Sequence, residues 1–124
     1  MPIKIFIFIA SLILLISCSK EKPDYQLQPK EDPYKIYREA YDAFEKGDYF
    51  FAQKKFLEVE LAIEKVEVAA KASLMASYSL YSINFYDEAL ENLNKYLKKY
   101  PANNNAIYAE YLIAIIFFEQ IEDE

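Results

Sequence analysis

Residues 47–63, GDYFFAQKKFLEVELAI, return in outline 37 positions later as residues 84–100, NFYDEALENLNKYLKKY. Both stretches begin with a residue that tolerates left-handed backbone and continue with tyrosine, alanine and large side chains at helical spacing. The matched pairs are Gly47 and Asn84, Tyr49 and Tyr86, Ala52 and Ala89, Phe56 and Leu93, and Val59 and Tyr96, while Asp48 against Phe85 is a mismatch. Each stretch therefore predicts a turn followed by a helix.

A further helix is predicted before each of these turns. Asp32 followed by Pro33 indicates a helix start, with aspartate as N-cap and proline at the first helical position. Gly47 is expected to end that helix, and its apolar stripe is predicted to be Tyr37, Ala40, Tyr41 and Phe44. The helix before Asn84 carries Ala70, Leu74, Ser77, Tyr78 and Tyr81 at helical spacing.

The second unit is predicted to close at Pro101, and a polar turn of three asparagines follows. A fifth helix is expected from Ala106 to about Glu119. The fold class predicted is all-α, an α-solenoid of antiparallel helix pairs that resembles tetratricopeptide repeats. We expect repeats over residues 33–65 and 66–102 and a partial third over 103–124.

Two details depart from the common repeat pattern. The period is 37 residues rather than about 34, and we assign the excess to a longer helix or turn around residues 63–68. The first unit also lacks a closing proline. Small residues are expected where helices approach closely, at Ala40, Ser77 and Ala114.

The amino-terminal segment predicts a lipoprotein signal peptide over residues 1–17. An apolar run from Ile5 to Ile16 follows Lys4 and is shorter than the roughly 20 residues of a spanning helix. The sequence Leu15-Ile16-Ser17-Cys18 resembles a bacterial lipobox. That resemblance implies S-diacylglycerol and N-palmitoyl groups on Cys18, the single cysteine. The alternative is an ordinary signal peptide or membrane anchor with an incidental cysteine.

The lipidated Cys18 and a flexible tether are expected to occupy residues 18–32. This segment is polar and contains Pro23 and Pro29, which is typical of a linker. Residue 19 is serine where an aspartate would resemble an inner-membrane retention signal, so the segment resembles an outer-membrane address.

Composition excludes several kinds of chemistry. The chain has no histidine, one glycine and one cysteine, which argues against His-based catalysis, phosphate-binding glycine loops and Cys-rich zinc sites. Its formal net charge is −6, whereas nucleic-acid binding normally needs a basic face. We therefore expect no enzyme activity, no catalytic residue, no cofactor, no metal and no nucleic acid.

A lipobox, a short tether and helical repeats together resemble the BamD-type (ComL) lipoprotein family of the β-barrel assembly machinery. The resemblance covers residues 36–63, 72–101 and 104–111. It implies a lipid-anchored, non-enzymatic scaffold on the periplasmic face of a Gram-negative outer membrane. The implied partners are the β-barrel assembly subunit, other assembly lipoproteins and unfolded outer-membrane protein substrates. The alternatives are another cell-envelope repeat lipoprotein, in peptidoglycan or division complexes, and a secreted factor that self-associates.

Residues 113–118, IAIIFF, are apolar on all sides and predict partners on more than one face. No second helix follows them, and the resembling family has more repeats. We therefore expect the chain to be the amino-terminal part of a longer protein. The alternative is a short protein that dimerises through this exposed end.

Tyrosines on the first helix of each unit are the candidate peptide groove. Tyrosine offers a large apolar face and a hydroxyl at low entropic cost, which suits an extended peptide with an aromatic end. The candidates are Tyr34, Tyr37, Tyr41, Tyr78, Tyr81, Tyr108 and Tyr111. The alternative is that most of them fill space between helices, with Tyr37 and Tyr41 on the core stripe.

Overall fold

The computed structural model describes residues 31–122, so the predicted signal peptide, Cys18 and most of the tether lie outside the described residues. Five helices and no strand are present in this range. The helices are α1 Pro33–Glu45, α2 Tyr49–Ala62, α3 Val66–Ser82, α4 Tyr86–Lys99 and α5 Ala106–Glu122. Neighbouring helices pack on one another in chain order, which confirms the all-α repeat fold.

Capping residues set the starts of the first two helices. The Asp32 carboxylate accepts a hydrogen bond from the Tyr34 backbone N–H at 3.0 Å, and Pro33 occupies the first turn, as predicted. Asp48 accepts from the Phe51 N–H at 3.2 Å in the same way. Phe85, its mismatched counterpart, cannot cap α4, and the acidic first turn of that helix favours the positive end of the helix dipole instead.

The turns within the two repeats, at Gly47 and at Asn84, have the same geometry. Gly47 has φ +77° and Asn84 has φ +61°, so both lie in the left-handed region. Asp48 N–H donates to the Ala43 carbonyl at 2.9 Å, and Phe85 N–H donates to the Leu80 carbonyl at 3.0 Å. This is the Schellman arrangement at a helix end, and it confirms the predicted equivalence of Gly47 and Asn84.

The buried positions repeat as the sequence predicts. Ala52, Phe56 and Val59 of α2 are fully buried. Their counterparts 37 residues on, in α4, are Ala89, Leu93 and Tyr96, and these are buried as well. The first set packs with α1 and α3, and the second set packs with α3 and α5, so α3 is shared by both cores.

Small side chains make up much of these cores. Alanine supplies nine of the nineteen buried apolar residues in the described part of the chain. Ala40 and Ser77 are both fully buried, as expected for positions of close helix approach. Helices therefore pack with few methylene groups between their backbones.

The structure corrects two predictions about buried positions. Tyr41 is exposed, because the core face of α1 is Ile36, Ala40 and Ala43, and Tyr41 points away from it. Small residues at two of those positions let α1 approach its neighbours closely, and Tyr37 and Phe44 of the predicted stripe pack at the edge of the same core. Ala114 is also exposed, because no helix within residues 31–122 packs on its side of α5.

The longer period is explained by helix length. The turn between α2 and α3 is only residues 63–65, whereas α3 has 17 residues and α1 has 13. Ile63, with extended backbone, ends α2 without a closing proline. Of the two explanations predicted, the longer helix is therefore the correct one.

Candidate functional site

One groove lies where the first helices of all three units meet. Its volume is about 450 Å³, and it is lined by Phe44, Lys71, Leu74, Met75, Tyr78, Asn105 and Tyr108. Phe44 comes from the end of α1, four residues come from α3, and the last two lie at the start of α5. The antiparallel pairing of helices places these three elements side by side.

Aromatic rings form one wall of the groove. The rings of Phe44 and Tyr78 lie 5.8 Å apart, centroid to centroid, and Phe44 also packs against the buried Phe56. Tyr108 is partly exposed, and burial raises the pKa of its hydroxyl. The hydroxyl therefore stays protonated near neutral pH and remains a hydrogen-bond donor.

A single cation borders this apolar surface. Lys71 is exposed on α3, one turn before Met75 and two turns before Tyr78. The groove thus offers apolar contact, tyrosine hydroxyls and an ammonium group. Such a combination suits an extended peptide that carries an aromatic side chain and a carboxylate. Within residues 31–122, no group of three acidic or cysteine side chains is placed to hold a metal ion.

The seven candidate tyrosines do not form one surface. Tyr78 and Tyr108 line the groove, and Tyr111 adjoins Tyr108 with ring centroids 6.4 Å apart. Tyr37 is half-buried with its ring edge-on to Phe56. The remaining three are Tyr34 and Tyr41, which are exposed on α1, and Tyr81, which makes a structural contact described next.

Tyr81 takes part in a clamp that holds α5. Its hydroxyl donates to one oxygen of Glu119 at 2.7 Å, and the Tyr86 hydroxyl donates to the other oxygen at 2.8 Å. The hydrogen bond to this carboxylate is the main reason that the pKa of Tyr81 rises to about 12. The two hydroxyls lower the pKa of Glu119. This clamp ties the third unit to the second near one end of the groove.

Five of the seven residues that line the groove are not among the predicted tyrosines: Phe44, Lys71, Leu74, Met75 and Asn105. Phe44 and Leu74 are predicted only as apolar positions of their helices and Asn105 only as part of a polar turn, while Lys71 and Met75 carry no prediction. A usable signal was present, because Lys71, Met75 and Tyr78 recur at i, i+4 and i+7 and so share one face of α3. The pattern of tyrosines alone does not indicate that face.

The chain was also compared with known proteins. A model of the family YfiO, described as "Outer membrane lipoprotein", matches residues 29–124. The chain belongs to this family. That match confirms the predicted BamD-type resemblance and covers all five described helices of this YfiO-family protein.

Named relatives of the YfiO-family chain share one description, "Outer membrane protein assembly factor BamD". The protein of Caulobacter vibrioides is 36% identical over 88 residues, which are 71% of this chain and 29% of the relative. That of Rickettsia prowazekii is 32% identical over 88 residues, 71% of this chain and 35% of the relative. That of Neisseria meningitidis serogroup B is 24% identical over 120 residues, 94% of this chain and 45% of the relative.

The YfiO-family chain thus spans less than half the length of these relatives. No solved structure matches it. Among its described helices, none is both long enough and apolar enough to cross a bilayer.

Proposed function

We propose that this protein is a subunit of the machinery that assembles β-barrel proteins in the outer membrane. The observation that carries the proposal is the family match over residues 29–124, together with relatives named as outer membrane protein assembly factors. In this role the helical repeats act as a non-enzymatic scaffold. They hold the membrane-embedded assembly subunit and other assembly lipoproteins close to unfolded substrate.

Affinity purification tests this assignment. The full-length protein is extracted from membranes in mild detergent, and co-purifying proteins are identified by mass spectrometry. We expect the barrel-forming assembly subunit among them. A chain carrying Leu93→Asp, which disrupts the second core, is the matched control and should lose the partner. Recovery of peptidoglycan or division proteins in place of the assembly subunit would reject the proposal.

The proposed location is the periplasmic face of the outer membrane, with acyl groups on Cys18. Support comes from the lipobox-like sequence and from the family description, outer membrane lipoprotein. Several acyl chains anchor a protein stably, whereas one chain alone binds only marginally. Growth with a fatty-acid analogue should label the native chain, and Cys18→Ala should abolish the label. An unlabelled native chain would contradict the anchor.

We propose that the groove between α1, α3 and α5 binds the carboxy-terminal segment of an unfolded substrate. Tyr78 and Tyr108 receive an aromatic side chain, and Lys71 pairs with the terminal carboxylate. Since Lys71 is exposed, this ion pair should contribute modestly, about two- to fivefold in affinity. The other candidate tyrosines contribute less, because most contact other helices or lie away from the groove.

Peptide binding and crosslinking test the groove. A peptide ending in phenylalanine should bind more tightly than its carboxy-terminal amide, and Lys71→Gln should remove that difference. A photo-crosslinker at Tyr108 should capture the peptide, while one at the exposed Glu91 of α4 serves as control. Equal capture at the two positions would place binding elsewhere.

A further inference from the structure

The outer face of α2 carries apolar side chains that the fold does not require. It is defined here as Phe50, Phe51, Lys54, Glu58 and Leu61, all of which are exposed, and Glu58 pairs with Lys55 at 3.1 Å. Phe50 is 56% exposed and Leu61 is 84% exposed. Around the helix axis Phe50, Lys54 and Leu61 lie opposite the buried residues of α2, whereas Phe51 lies on the flank. None of the apolar side chains of this face belongs to the core.

The second repeat provides an internal comparison. The positions 37 residues later, on the outer face of α4, are Asp87, Glu88, Glu91, Lys95 and Lys98, and these are exposed too. Buried positions of α2 and α4 match in character, whereas the outer positions are mainly apolar in one helix and charged in the other. The same scaffold therefore folds with a fully polar outer face, which leaves the apolar face of α2 free for another role.

The size and chemistry of this face limit what it can bind. From Phe50 to Leu61 it spans roughly 16 Å along the helix, with three apolar side chains on it. A stable protein–protein interface buries about 800 Å² on each partner, whereas this face is one helix diameter, about 10 Å, wide. The Lys54 ammonium lies 5.9 Å from the centre of the Phe50 ring, so a cation borders the apolar surface, as on helices that lie at a bilayer surface.

The path of the chain favours a membrane as the surface that contacts the outer face of α2. The rings of Phe44 and Tyr49 lie 5.3 Å apart beside the turn, and those of Tyr37 and Phe56 lie 5.8 Å apart further along, so α1 and α2 are antiparallel. The start of α1 is thus beside the end of α2, where Leu61 stands. The tether from Cys18 enters at this point and reaches at most roughly 40 Å.

We propose that the outer face of α2 docks on the lipid bilayer to which the protein is anchored. Phe50, Phe51 and Leu61 enter the interfacial region, and Lys54 faces the lipid phosphates. A weak contact suffices, since the tether raises the effective concentration of the bilayer at this face. Docking sets the orientation of the first repeat on the membrane. The inference rests on the proposed lipid anchor.

Tryptophan fluorescence tests the docking directly, because the native chain contains no tryptophan. Four single-tryptophan variants of the acylated full-length protein are attached to vesicles of phosphatidylethanolamine and phosphatidylglycerol. Phe50→Trp and Leu61→Trp probe the outer face of α2, and Asp87→Trp and Lys98→Trp probe the equivalent positions of α4. Circular dichroism checks that each variant is folded, and flotation selects the vesicle-bound fraction.

We expect the fluorescence emission of the two α2 probes to shift to shorter wavelength. Brominated lipid should quench about half of this emission, as for side chains ~5–10 Å into the interface. The emission of the two α4 probes should match that of tryptophan exposed to water. Unquenched α2 probes on floating protein would overturn the docking and leave the anchor intact. Equal quenching of all four probes would also overturn the docking. So would a shift in the emission of the α2 probes in the purified assembly complex without quenching by lipid. Failure of the native protein to float would remove the anchor and the docking together.

Discussion

Gly47 and Asn84 show how much of this fold depends on single residues. Each ends a helix with positive φ, and each hydrogen-bonded turn then places the following helix against its predecessor. Glycine adopts this conformation without steric cost, and asparagine is the side chain that tolerates it best. The reversal of direction within each repeat therefore depends on one residue per unit.

At Gly47 the cost of a side chain is purely conformational. An added Cβ would meet no atom within 4 Å, but φ is +77°. We expect Gly47→Ala to lower the free energy of unfolding by about 1–2 kcal/mol, while Gly47→Asn lowers it less. Urea unfolding followed by circular dichroism measures both. An equal loss for the two variants would show that space, not backbone conformation, limits this position.

The sequence predicted the turns and the repeated buried positions because both depend on local properties. Positive φ favours the residue types found at Gly47 and Asn84, and the buried positions from Ala52 to Val59 follow helical spacing. The side of α1 that faces the core was not predictable in this way. Ala40 belongs to two possible apolar stripes, one that includes Tyr41 and one that includes Ile36 and Ala43, and only contact with the neighbouring helices distinguishes them. Tyr37 packs beside the core in the structure. Tyr78 and Tyr108, two of the seven candidate tyrosines, line the observed groove, and peptide binding there stays a prediction.

At the scale of helices, α5 packs on the second core through Ala109, Leu112 and Ile116, and one carboxylate adds a polar attachment. Glu119 accepts hydrogen bonds from Tyr81 and Tyr86. The lowered pKa of Glu119 means that its stabilising effect is present above the ordinary value of 4.5 and is lost as pH falls through the lower folded value. For Tyr81, raised to about 12, the effect is present below 10.0 and is lost as pH rises towards 12.

We therefore expect the contribution of Glu119 to stability to be greatest between these two limits. Near neutral pH the native chain should unfold at a higher urea concentration than Glu119→Gln. This difference between the two urea midpoints should shrink in acid. Glu110→Gln, on the exposed side of α5, is the matched control and should change little. A difference that does not vary with pH would show that the carboxylate charge does not contribute to the attachment of α5.

At the scale of the whole molecule, the two ends of the repeat array differ. The first unit begins at a capped helix, whereas α5 exposes an apolar face. Ile107 is 79% exposed and Phe118 is 61% exposed. Their counterparts on α3, Ala70 and Tyr81, lie against the second core, where α4 covers them. The exposed face of α5 thus has the composition of a surface on which another helix packs.

This surface should be measurable with a hydrophobic dye. The 124-residue chain is expected to bind 8-anilinonaphthalene sulfonate, and the double variant Ile107→Lys and Phe118→Lys should bind much less. Because both side chains are exposed, stability should change by no more than about 0.5 kcal/mol. Leu112→Lys, on the buried side of the same helix, should instead unfold the chain. Undiminished dye binding in the folded double variant would place the exposed surface elsewhere.

The many alanines of the core have a consequence for how this protein tolerates mutation. Removing a methyl group from Ala40, Ala52 or Ala76 leaves almost no cavity, so the damaging direction is towards larger side chains, which force closely packed helices apart. A screen for loss of function should therefore recover alanine to valine or threonine far more often than substitutions that shrink a side chain. Such variants should separate neighbouring helices before they unfold them, and temperature-sensitive alleles are expected to concentrate at these positions.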